Sequence, residues 1–124
     1  MGYRSEVVFA VDSELAPFFT ALMAKNPEVE RLCRDADQYE SGYAEEGDFF
    51  MYWNSIKWYD SYPEIQAIQE FITELRGEEE SDFPGVDNVH ERWRFVRIGE
   101  DTSDMEEDGG GFYDTVYIQR AIAF

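Results

Sequence analysis

The stretch SYPEIQAIQEFITELRG, residues 61–77, limits the folds open to this chain more than any other. Ser61 with Glu64 three positions on has the form of a capping box, Pro63 suits a first helical turn, and Gly77 stops the run after its last apolar residue. Between these signals Ile65, Ile68, Phe71, Ile72 and Leu75 recur at helical spacing, and Glu64, Gln66, Gln69, Glu70 and Glu74 fall on the opposite side. A helix with one apolar stripe has to bury it against a second layer. The runs on either side are rich in β-branched and aromatic residues, which predicts that the second layer is a sheet.

The first of these runs, YRSEVVFAV, predicts a strand reaching Val11. Asp12 or Ser13 then caps a helix on which Leu15, Phe18, Phe19, Leu22 and Met23 face one way, until Pro27 interrupts it ahead of a short turn holding Val29, Leu32 and Cys33. DQYESGYAEEGDFFMYWNSIKWYD reads as a hairpin, with a short strand over Gln38–Ala44, a Glu-Glu-Gly-Asp turn, and a long strand over Phe49–Tyr59. Beyond the helix, GEEESDFPGVD is a loop, HERWRFVRIGE a fourth strand, and FYDTVYIQRAIAF a fifth. The order β-α-β-β-α-β-β predicts an α+β domain: an antiparallel or mixed sheet of about five strands with two helices on one face, related to the split β-α-β motif. Residues 1–124 are read as a single domain with a sizeable core.

Charge limits the functions. Twenty-eight Asp and Glu stand against ten Lys and Arg, a formal net charge of −18. That excess repels nucleic acid and anionic membrane and favours a basic partner. It is unevenly placed, since residues 1–34 carry five acids and four bases and residues 35–108 twenty-two acids and five bases. With ten Phe, eight Tyr and three Trp, the chain escapes the aromatic-poor composition of acidic disordered proteins. No apolar run reaches the roughly 18–20 residues of a membrane span, and MGYRSEVVFAV lacks the apolar core and cleavage site of a signal peptide. Cys33 is the only cysteine, which excludes an internal disulfide and a Cys-based zinc cluster, and a cytoplasmic setting is expected.

MGYRSEV at 1–7, KWYDSYPEIQ at 57–66 and FVRIGED at 95–101, followed by an acidic stretch and a final Arg-x-Ile, resemble a family of small uncharacterised proteins from tailed phages and prophages. The resemblance spans most of the chain as three spaced motifs. It implies a phage accessory protein inside a host cell, and it brings no catalytic signature to these positions.

Three acidic clusters are the candidate partner-binding residues. One is the run 100–108, with Glu100, Asp101, Asp104, Glu106, Glu107 and Asp108; another is the loop after the clear helix, with Glu78, Glu79, Glu80 and Asp82; the third is the hairpin turn, with Glu45, Glu46 and Asp48. Brought to one end of the sheet, they would offer the charge density of a nucleic-acid backbone to a groove lined with Lys and Arg. Tyr59, Asp60 and Tyr62, at a strand-to-helix turn, are the candidates for an exposed aromatic contact. Trp53, Trp58, Trp93 and Phe95 are expected in core and cross-strand packing, and Arg92, Arg94 and Arg97 as counter-charges to neighbouring acids.

Metal and catalytic readings find less support. Asp104, Glu106 and Asp108 before Gly109 imitate the start of an EF-hand loop, but the twelfth position is Thr115 in place of the bidentate Glu that closes such a site. His90 is the only histidine, and no P-loop, G-x-S-x-G or H-E-x-x-H spacing occurs. No cofactor, metal or catalytic residue is expected. Three functions stay open. The first is a nucleic-acid mimic that inhibits a nucleic-acid-binding host defence or regulatory protein, of anti-CRISPR or anti-restriction type. The second is an interaction or assembly module whose partner sits on the aromatic turn, and the third a small-ligand binder or enzyme with a sheet-borne carboxylate site.

Overall fold

The computed structural model describes residues 2–41, 47–77, 82–101, 103–112 and 116–118. Its elements are β1 (Ser5–Val11), α1 (Ala16–Lys25), α2 (Pro27–Arg34), β2 (Gln38–Ser41), β3 (Phe49–Ile56), α3 (Pro63–Gly77), a 3-10 turn (Val89–Arg92), β4 (Trp93–Ile98) and β5 (Met105–Asp108). The strands form one antiparallel sheet in the order β2-β3-β1-β4-β5. Because every neighbouring pair is antiparallel, β1 and β2 run the same way with β3 between them, and β3 and β4 run the same way with β1 between them. Two split β-α-β units therefore interleave, and β5 is added outside β4.

β1 lies at the centre of the sheet, so both its faces must be apolar, and SEVVFAV supplies side chains for both. On one face Val7, Phe9 and Val11 pack with Phe19 of α1 and with Ile65, Ile68, Phe71, Ile72 and Leu75 of α3, all of them buried. The Phe9 ring meets Phe19, Phe71 and Phe95 edge-on, at centroid distances of 5.6, 6.3 and 6.4 Å. On the other face Ala10, Phe50 and Val96 are buried with Val116, and Phe112 and Ile118 pack against them. The helices thus cover one face, and residues late in the chain cover part of the other.

Among the described residues the helical layer holds three helices where two were expected. Asn26 ends α1 by donating its N–H to Leu22 O and Met23 O, and Pro27 opens α2 at a position where a missing N–H costs nothing. From Pro27 the chain forms a helix of 8 residues that buries Val29 and Cys33. Asp12 caps the turn that precedes α1, its Oδ1 accepting the N–H groups of Glu14 and Leu15, while Leu15 holds the N-cap position itself. β2 is described over Gln38–Ser41, the expected end at Ala44 lying outside the described residues, and β3 ends at Ile56, short of Tyr59. The start of HERWRFVRIGE is a 3-10 turn before β4 begins at Trp93.

The largest correction concerns the fifth strand. Phe112 and Val116–Ile118 are not strand, and residues 113–115 and 119–124 lie outside the described ones. β5 is formed instead by Met105–Asp108, inside the acidic run expected as a connection. Asp and Glu have poor strand propensity, but here each carboxylate meets an arginine once the strand pairs with β4, and that context overrides the propensity.

Candidate partner-binding surface

Directly opposed residues of antiparallel strands share a face, and the β4–β5 register sets Arg97 against Glu106 and Phe95 against Asp108. Arg97 lies 2.5 Å from both Asp104 Oδ1 and Glu106 Oε2, and its Nη1 donates to Ser5 Oγ at 3.0 Å. Arg94 lies 3.5 Å from Glu107 Oε1 and donates to the carbonyls of Val116 and Gly109 at 3.0 and 2.8 Å. Arg76 of α3 is ion-paired with Asp108. From the other end of the chain, the Tyr3 hydroxyl donates to Asp104 Oδ2 at 2.6 Å and accepts the Asp101 N–H at 2.9 Å, and the Arg4 main-chain N–H donates to Glu100 Oε2 at 2.6 Å. A side chain at Gly99 would overlap both the Asp104 carboxylate and the Tyr3 hydroxyl, so these two side chains would have to shift to admit it.

The electrostatics follow from these contacts. Arg97, and after it the Tyr3 hydroxyl, hold the Asp104 carboxyl below the ordinary carboxylate value. The Ser103 N–H and hydroxyl do the same for Asp101. The run therefore behaves as an ionic seam that fastens β5 to β4, α3 and the N-terminal residues. Asp104, Glu106 and Asp108 do share a face, as an ion site would need, but Arg97 and Arg76 stand among them. Among the described residues no group of three His, Cys, Asp or Glu is placed to hold a metal ion.

The other residues expected at the partner surface scatter. Asp48 is buried, its Oδ1 accepting the Ser13 N–H at 3.0 Å, so it serves the fold and does not face a partner. Asp82 is exposed, whereas Glu45, Glu46, Glu78, Glu79 and Glu80 lie outside the described residues. Tyr59 and Tyr62, expected to be exposed, are half-buried with their rings 5.3 Å apart. Trp53, Trp58, Trp93 and Phe95 are core residues, and Trp53 Nε1 donates to Leu32 O at 3.0 Å. Burial pushes the Cys33 thiol up to about 12, which leaves it protonated and unreactive.

Of the residues expected from sequence, the fold brings Asp60 and Glu106 to one groove of about 330 Å3 between α3 and β5, together with Gln66, Glu70 and Arg76. Glu70 is a member of this groove that charge clustering does not point to, although its place on the polar side of the helix is readable. A second groove of about 330 Å3 lies where the start of β1, the end of β3 and the β4–β5 turn meet, and is lined by Arg4, Glu6, Asn54 and Glu100 among others.

Beside this second groove the Tyr52 hydroxyl donates to Glu6 Oε2 at 2.5 Å, and that bond raises the phenol to about 12. The neutral phenol is the bonded form. Its stabilisation is therefore complete below the ordinary value of 10.0 and disappears as pH rises through about 12. In ultraviolet titrations, the difference between the protein and Tyr52→Phe should show one phenol ionising near 12, and Glu6→Gln should return it toward 10.0. A Tyr52 that ionises with the bulk of the tyrosines would show that the bond is not made.

No described helix is long and apolar enough to cross a membrane. No protein-family model, no curated protein and no solved structure matches the chain.

Proposed function

We propose that the protein acts by binding a basic partner through the outer face of its helical layer, with α3 and the α3–β5 groove at the centre of the contact. The supporting observation is the destination of the positive charge. Arg76, Arg92, Arg94 and Arg97 are each turned onto a carboxylate of the fold itself. Asp60, Glu70 and Glu74 stay exposed, in a chain of net charge −18. Such a face attracts cations over distances set by ionic strength and suits a surface that ordinarily takes phosphate.

The partner is therefore a nucleic-acid-binding protein, and the phage-like motifs add a host defence or regulatory protein as its class. The mimicking charge shifts from the run 100–108, where Asp104, Glu106, Glu107 and Asp108 hold arginines, to α3. The half-buried packing of Tyr59 against Tyr62 argues against the aromatic turn as the main contact.

Capture from host lysate at low and high salt tests this reading. A basic nucleic-acid-binding protein should be retained at low salt, be displaced by added duplex DNA, and be lost when Asp60→Asn, Glu70→Gln and Glu74→Gln are combined. Retention that survives high salt, DNA and the triple substitution would overturn the proposal in favour of an apolar interface.

A further inference from the structure

The groove at the end of β3 leaves Arg4 without the ion pair that five of the described arginines make. Arg34, Arg76, Arg92, Arg94 and Arg97 each hold a carboxylate. Among the described residues Arg4 forms no ion pair, although Glu6 and Glu100 line the same groove, and its Nη1 reaches only the Ser55 carbonyl at 3.4 Å. The two carboxylates are engaged elsewhere. Glu6 Oε2 accepts the Tyr52 hydroxyl, and Glu100 Oε2 accepts the Arg4 main-chain N–H. Asn54 is fixed by its own N–H, which donates to Asp37 Oδ2 at 2.6 Å.

The recess is built by the strand itself. Ser5 and Val7 of β1 face Ile56 and Trp53 of β3, so β3 carries one residue more over this interval, and the bulge falls at Asn54 and Ser55. Opposite charges are thus held apart around one opening of about 330 Å3. A lone anion there meets two carboxylates, and a lone cation meets a guanidinium. A ligand that carries both charges a few atoms apart satisfies every wall.

We propose that this groove binds a small zwitterion, a free α-amino acid, with its ammonium between Glu6 and Glu100 and its carboxylate on the Arg4 guanidinium and the Asn54 amide. The guanidinium fork suits a carboxylate in two-point contact, and Ile98 supplies an apolar wall for a short side chain. The site is separate from the helical face and does not depend on the basic partner.

Amide NMR titration with L-alanine, alaninamide and N-acetylalanine tests it. L-Alanine should give saturable shifts at Glu6, Ser55 and Gly99, and each blocked analogue should bind at least about tenfold more weakly. Arg4→Gln keeps the main-chain bond to Glu100, so the rest of the spectrum should be unchanged while L-alanine weakens about tenfold and alaninamide is unaffected. Asn54→Ala should weaken L-alanine in the same sense. Equal binding of the three probes, absence of a saturable shift with L-alanine, or an Arg4→Gln variant that binds it normally would overturn the assignment.

Discussion

Phe9→Ala should lower the unfolding free energy by about 3–5 kcal/mol, the range for deleting a fully buried phenyl ring with its cavity left behind. Phe9 is 0% exposed on the central strand, and its ring touches one aromatic from each of α1, α3 and β4. No neighbour can collapse into the space without leaving another strand or helix. Ile68→Ala, on the α3 stripe and also 0% exposed, should cost about 2–5 kcal/mol for the same reason. Urea denaturation followed by fluorescence measures both. A loss under about 1 kcal/mol at Phe9 would mean that the helices do not pack on β1 as described.

Replacing Asp101, Asp104, Glu106, Glu107 and Asp108 together by Asn or Gln should detach β5 while the β3-β1-β4 core stands. From sequence alone the same replacement is expected to leave the fold intact and only to slow association with a basic partner, because a solvated connection loses only charge. In the structure it strips Arg76, Arg94 and Arg97 of their carboxylates and leaves the Tyr3 hydroxyl a neutral amide oxygen in place of a charged acceptor. Leaving guanidinium groups without their countercharges at a partly buried seam is among the costly classes of change.

Hydrogen exchange is the natural readout. The Gly99 amide, which donates to Asp104 O at 2.7 Å, and the amides of β5 should exchange at least about tenfold faster, with those of β1 little changed. Acid should act in the same direction. The Asp104 carboxyl lies below its ordinary value of 3.8, so its contribution is present above that value and lost as pH falls through the lower, folded one. Protection of β5 that survives both the substitutions and acidification would show that backbone pairing alone holds the strand.

The parts of the fold legible in the sequence are those whose signal is periodic. α3 is readable from residues three and four apart, and all five of its stripe residues are buried. β1 is readable from a loose alternation in a run rich in β-branched and aromatic residues, and the sign of the charge from counting. The acidic run reads as a connection because strand propensity argues against it, and only the register with β4 shows why it pairs. The last apolar run illustrates the converse. VYI has the composition of a strand, yet Val116 and Ile118 pack on the sheet face with Ala10 and Val96, since burial satisfies such residues whether or not they join the ladder.

Composition and the order of near neighbours are enough for the two-layer α+β class, the α3 stripe and the anionic excess, because each is a property of a short window or of a count. Which acids remain on the surface is set by contacts between distant parts of the chain. Tyr3 and Asp104 are 101 positions apart and Arg76 and Asp108 are 32 apart, yet each pair is in contact because β5 lies beside β4 and under α3. Coulomb attraction depends on separation in space, so no local pattern could tell the neutralised carboxylates of β5 from the exposed ones of α3.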